Sequence, residues 1–139
     1  MSDYLGLDRP QFIAGGNISP CTIVQLSTAA DFTVLASNAT GISMAVAQEG
    51  TLNAPITGGS TLAANTGSPE LKVYLAGDTA LVVLGANVTR GSLIVADANA
   101  AGIPTLSYNS STPQYVIGYA LRSGLTNEKI EVFIQPHTY

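Results

Sequence analysis

Charge is the scarcest property of this sequence. Aspartate, glutamate, lysine and arginine together make up 10% of the 139 residues, against roughly 25% in an ordinary soluble domain. Tryptophan is absent, and there is one cysteine, Cys21, and one histidine, His137. Each shortage excludes something. A lone cysteine rules out an internal disulfide and a cysteine-built zinc site. The five basic residues (Arg9, Lys72, Arg90, Arg122 and Lys129) are spread along a chain of net charge −4. That spread disfavours the basic stripe of a nucleic-acid-binding surface and gives no reason to expect attachment to anionic lipid. The longest strongly apolar run, Ala80 to Val88, falls far short of the ~18 residues of a membrane span. No positive segment followed by an apolar block stands at the start, so a soluble protein made in the cytoplasm is expected.

Groups that carry out chemistry are equally sparse. His137 lies beside Pro136 near the end of the sequence, a poor place for a catalytic base. Cys21 follows Pro20 and opens an apolar stretch, which suits a small buried hydrophobe better than a nucleophile. The carboxylates Asp31, Glu49, Glu70, Asp78, Asp97, Glu128 and Glu131 are scattered, without the paired spacing that acid–base work or metal ligation would need. Gly58-Gly59-Ser60-Thr61 lacks the lysine and the following helix of a phosphate loop. Glycosylation-type triplets at Asn17, Asn38, Asn87 and Asn109 are what a chain rich in Asn, Ser and Thr yields by chance. The expectation is a protein that is not an enzyme and uses neither cofactor nor metal.

What the chain does have is apolar residues in short alternating runs. They reach 46% of the sequence, enough for one core in one domain. Period-2 alternation broken by Gly, Asn, Pro and Ser clusters predicts an all-β fold, a compact β-sandwich or β-barrel. About eight short strands are expected: Thr22–Leu26, Phe32–Ala36, Ser43–Ala47, Leu71–Ala76, Ala80–Leu84, Leu93–Ala96, Tyr115–Leu121 and Lys129–Gln135. The alanines around Asp97–Ala101 could form one helical turn, ended by Gly102 and Pro104.

A weak internal duplication runs through these strands. Leu71-Lys72-Val73-Tyr74-Leu75 and Ile130-Glu131-Val132-Phe133-Ile134 share one order: apolar, charged, valine, aromatic, apolar. Each would present a pure core face and a second face mixing a charge with an aromatic. Upstream, Ile18–Val24 matches Val88–Ile94, a turn feeding a strand, and Gly41–Val46 matches Ile117–Leu121 around a glycine. Two β-units closing one core are therefore expected.

Three further segments stand out. Residues 1–17 read as an N-terminal arm with anchoring side chains, followed by a single β domain over 18–139. Residues 51–70, TLNAPITGGSTLAANTGSPE, read as a long polar loop inserted into the first unit, the kind of segment that is either functional or disordered. Tyr108, Tyr115 and Tyr119 fall near one strand, with Tyr115 and Tyr119 on a face with Ile117 and Leu121. Such a row suits core or subunit-interface packing, and can also bind sugars or protein partners.

The turn-strand Ile18–Leu26, the glycine strand Gly41–Ala47, the second turn-strand Val88–Ala96 and the ending Val116–Leu121 with Lys129–Ile134 together resemble small tailed-bacteriophage capsid decoration proteins. These are also called cement or head-stabilisation proteins, and the likeness covers roughly residues 12–135. It implies a β-rich homotrimer that binds the phage major capsid protein on the outer surface of the assembled head and reinforces that shell. On this resemblance the arm residues Tyr4, Leu5, Leu7, Arg9 and Phe12 would contact the capsid or a neighbouring subunit, and Tyr74 and Phe133 would pack subunit against subunit. The long 51–70 insertion departs from the family's shorter pattern. The rival expectation is a carbohydrate-binding or host-adhesion β module on a virion or cell surface, supported by the Tyr108–Tyr119 region and the polar loop.

Overall fold

Strands form where apolar and polar residues alternate, and turns where Gly, Pro, Asn and Asp gather. The computed structural model describes residues 12–47, 73–107 and 109–139. Among them are ten strands: β1 (Ile13–Ala14), β2 (Thr22–Leu26), β3 (Thr33–Ala36), β4 (Ser43–Ala47), β5 (Val73–Tyr74), β6 (Thr79–Val83), β7 (Leu93–Ala96), β8 (Gly102–Pro104), β9 (Tyr115–Ala120) and β10 (Lys129–Thr138). The fold is all-β, as the period-2 pattern predicts. The expected 51–70 insertion and most of the expected arm lie outside the described residues.

Two strands have no counterpart in the sequence reading. β1 pairs in parallel with β3, Ile13 opposite Thr33 and Ala14 opposite Val34. β8 occupies the place given to the end of a helical turn. There Asp97 Oδ1 accepts the amide N–H groups of Asn99 at 2.8 Å and Ala101 at 2.9 Å, which closes a tight turn and sends the chain straight back as a strand. β10 runs three residues further than expected. Pro136 is tolerated because it falls inside a register shift between Ile134 and His137, where a residue without an N–H breaks no regular ladder.

The strands make two five-stranded sheets, β1-β3-β2-β4-β5 and β6-β10-β9-β7-β8. The second closes on itself: Leu84, just past β6, bridges in parallel to Gly102 of β8. Laid side by side, the sheets are two copies of one unit. β3-β2-β4-β5 and β8-β7-β9-β10 have the same order, and every neighbouring pair is antiparallel. Each copy carries a β-bulge at the same place, after Val24 opposite Ala45 in one and after Ile94 opposite Gly118 in the other. The loop hydrogen bonds repeat too: Ser27 N–H to the Thr33 carbonyl matches Asp97 N–H to that of Ala101, and Gly15 N–H to Val34 matches Gly85 N–H to Gly102.

The duplication is thus real, and its register is sharper than the sequence match. Ala45, not Gly41, stands at the place of Gly118, while Val73 and Tyr74 fall on Val132 and Phe133 as expected. The cross-strand partners Ala47 and Val73 enclose residues 48–72, but Ala120 and Val132 enclose only 121–131. The extra length sits between those two strands of the N-terminal unit.

The described residues form two cores rather than one. In the C-terminal unit Val82, Leu84, Ile94, Ile117, Ile130, Val132 and Ile134 are almost completely buried together. Each such aliphatic side chain is worth about 1.5–3 kcal/mol. In the N-terminal unit Phe12, Ala14, Ile18, Val24, Ala45, Ala47 and Val73, with Val34, form a smaller second cluster. The units are joined because Ile23 and Val46, on the other face of β2 and β4, are buried in the C-terminal core, with Tyr74 packed against it. Backbone bonds from Ile23 N–H to the Ala100 carbonyl and from Val83 N–H to the Cys21 carbonyl, each 2.9 Å, fix the stacking.

Candidate functional site

The residues singled out by sequence go to different places. Tyr4, Leu5, Leu7, Arg9 and Tyr108 lie outside the described residues. Phe12, expected among the contact residues of the arm, is a core residue of its own unit at 6% exposure. Its ring meets that of Phe32 with centroids 6.4 Å apart. Tyr74 is half-buried against the C-terminal core. Cys21 is buried at the turn into β2, and His137 is exposed on β10 with Nδ1 2.8 Å from the Gln135 carbonyl oxygen. Ile117 does not share a face with Tyr119: the bulge in β9 turns it into the core, where it is fully buried.

Phe133 belongs to a larger surface that sequence alone did not assemble. On the outer face of the second sheet, register places Thr79, Phe133, Tyr119 and Leu93 in one row across four strands. The Phe133 and Tyr119 rings are 5.5 Å apart and tilted, a favourable aromatic pairing. A second row carries Leu81 opposite Glu131, then Leu121, whose N–H donates to the Glu131 carbonyl at 3.0 Å. Leu121 is 49% exposed and Leu81 37%. At the edge of this apolar face Arg122 Nε donates to Glu131 Oε1 and its Nη2 to the Lys129 carbonyl at 2.8 Å. The Arg122 hydrogen bond holds the Glu131 carboxyl below the usual carboxylate range.

Two of the hollows among the described residues border the N-terminal unit. One, of about 560 Å³, is lined by Phe12, Leu26, Ala29, Phe32 and Met44, with Asp31 and hydroxyls of the β2–β3 loop. Leu26 and Phe32 are both more than half exposed. The other, of about 430 Å³, lies between the units and is polar, with Asn17, Ser19, Thr22, Ser37, Asn38 and Asn99 around it. Among the described residues no group of three or more His, Cys, Asp or Glu side chains is placed to hold a metal ion. These surfaces offer apolar contact, hydrogen bonding and, at the edge of the outer face, the Arg122–Glu131 ion pair.

No protein-family model matches the chain, and no curated protein does. Among solved structures, the crystal structure of the N base of the head fiber gp8.5 of bacteriophage phi29 is similar, with a TM-score of 0.60 over 91% of this chain and 92% of that one. Identity is 15%, so what the two share is the fold.

Proposed function

We propose that this chain is a structural protein of a bacteriophage virion, a decoration or cement protein that binds the outer surface of the head. One observation carries the reading: nearly the whole chain shares its fold with the base of a phage head fiber. The low charge supports it, since a protein whose surface is shared with a shell needs fewer charges to stay soluble. The two apolar surfaces support it as well. The action is then to add interface rather than chemistry. Standard interfaces bury about 1,600 Å², and many copies on one shell act together through multivalency. The partner proposed is the phage major capsid protein, with self-association, as a homotrimer, around each binding point.

The test is retention on purified phage capsids by co-sedimentation, with the full chain and with a chain lacking residues 2–11. Because Phe12 and Ala14 are core residues, the deletion stops short of them. Binding of the full chain and its loss on truncation is the expected result. Failure of the full chain to bind capsids, with binding on a glycan array instead, would replace this reading by the carbohydrate-binding one. Among the described residues around the polar hollow there is no aromatic side chain on which a sugar ring would stack.

A further inference from the structure

The repeat shows what covers the outer face of a unit. In the N-terminal unit the row Ile23, Val46 and Tyr74 crosses β2, β4 and β5. Ile23 and Val46 are 0% exposed because they are buried in the core of the C-terminal unit, in one cluster with Ile94, Ile117 and Ile134. The same row in the C-terminal unit is Leu93, Tyr119 and Phe133. It is as apolar as its counterpart, yet it is only half-buried.

The complementary surface is half-buried as well. Ile117 and Ile134, members of the core that the N-terminal row enters, correspond to Met44 and Leu75 in the N-terminal unit. Those two are partly buried against the smaller core, and Met44 lines the hollow with Phe12, Leu26 and Phe32. Among the described residues there is therefore one made contact of this type and one spare half of each kind.

We propose that the Leu93–Tyr119–Phe133 face is a self-docking surface, and that its occupant is the Met44–Phe32 hollow of a second copy of this chain. The intermolecular contact repeats the intramolecular one. It is heterologous, head to tail, so it closes into a ring where the rotation allows, the homotrimer being such a ring, and otherwise runs on as a filament. The inference gives the self-association proposed above its surface and rests on that reading to this extent. Capsid binding is scored separately: its loss with self-association intact would count against the capsid reading alone.

A heterologous contact can be tested by complementation. Leu121→Glu with Tyr119→Ser spoils the outer face, and Leu26→Glu with Phe32→Ser spoils the hollow. All four positions are at least partly solvent-accessible, and retained folding is checked by circular dichroism. In analytical ultracentrifugation the wild-type chain is expected to assemble and each variant to stay monomeric. An equimolar mixture of the two should form a 1:1 heterodimer that neither forms alone, since each supplies the half the other lacks. Wild-type chain that stays monomeric up to about 1 mM, variants that assemble as before, or a mixture without heterodimer would each overturn the proposal. Should a variant fail to fold, hydrogen exchange on the wild-type chain decides. Dilution must raise exchange together around Leu93 and Tyr119 and around Met44; a rise at one site only, or at neither, overturns the proposal.

Discussion

Cys21 and Gly91 occupy the same position of the repeat and the same region of backbone space, with φ of 59° and 85°. Each ends the turn that feeds a unit's second strand. The glycine takes this conformation without strain, whereas an L side chain there costs about 1–2 kcal/mol. Cys21 offsets that cost by burying its side chain at 6% exposure. Cys21→Gly should therefore change unfolding free energy by no more than about 1 kcal/mol, strain relief set against lost burial. Cys21→Val, β-branched and left-handed, should cost about 2 kcal/mol or more. A Cβ built on Gly91 meets nothing within 4 Å, so Gly91→Ala isolates the backbone cost of about 1–2 kcal/mol. Urea denaturation of the three variants would contradict the account if glycine at position 21 proved as damaging as valine.

Ala45 and Gly118 are a second matched pair, and here the units differ. A Cβ on Gly118 would come within 1.9 Å of the Phe133 carbonyl oxygen. There β10 lies directly against Gly118, pairing it with Ile134 and continuing beyond, whereas the pairing of β5 with β4 ends at Tyr74. Gly118→Ala should cost at least about 3 kcal/mol because backbone must move to admit it. Ala45→Gly should cost about 1 kcal/mol, the usual penalty of glycine in a regular element. A Gly118→Ala protein melting within a few degrees of wild type would show that β10 yields easily there.

Most strands were legible in the sequence because alternation states that a strand has two faces. Leu71–Leu75 and Ile130–Ile134 revealed their kinship through one shared pattern, and the structure sets Val73 on Val132 and Tyr74 on Phe133. Alternation does not state what covers each face. Ile23 and Leu93 look alike in sequence, and one is fully buried while the other is half-buried, because a unit stacks on the first. β1 and β8, two and three residues long, are too short to show a period. The bulges at Met44 and Ile117 add one residue and shift the alternation, which is why Ile117 looked like a partner of Tyr119. The hollow beside Phe32 draws residues from β2, β4 and the loop between β2 and β3, a grouping only the fold makes.

The Arg122–Glu131 pair gives a pH dependence of known sign. The Glu131 carboxyl is held below its ordinary range, first by the Arg122 hydrogen bond. Its contribution is therefore fully present above the pKa of the unfolded chain and is lost as pH falls through the lower folded value. Both side chains are about half exposed, so the contribution is small and screened by salt. Thermal midpoints of wild type and Glu131→Gln should differ near neutral pH at low ionic strength. They should converge below the usual carboxylate range and also on adding salt. A difference that persists in acid would locate the effect elsewhere than in this ion pair.

The stacking of the units makes a sharper demand on matched residues. Ile23 and Leu93 hold the same place in the repeat, but Ile23 is buried in the core of the other unit. Ile23→Ala should cost about 2–5 kcal/mol, the range for emptying a filled core site. Leu93→Ala leaves no closed cavity and should cost about 1 kcal/mol or less in dilute protein. At concentrations where copies dock, the Leu93 variant should lose more, because its side chain then stands where Ile23 stands within the chain. Denaturation of both variants at two protein concentrations reads these effects separately. Equal costs for Ile23 and Leu93 in dilute protein would mean that the units do not stack through this row, and the docking argument would fall with it.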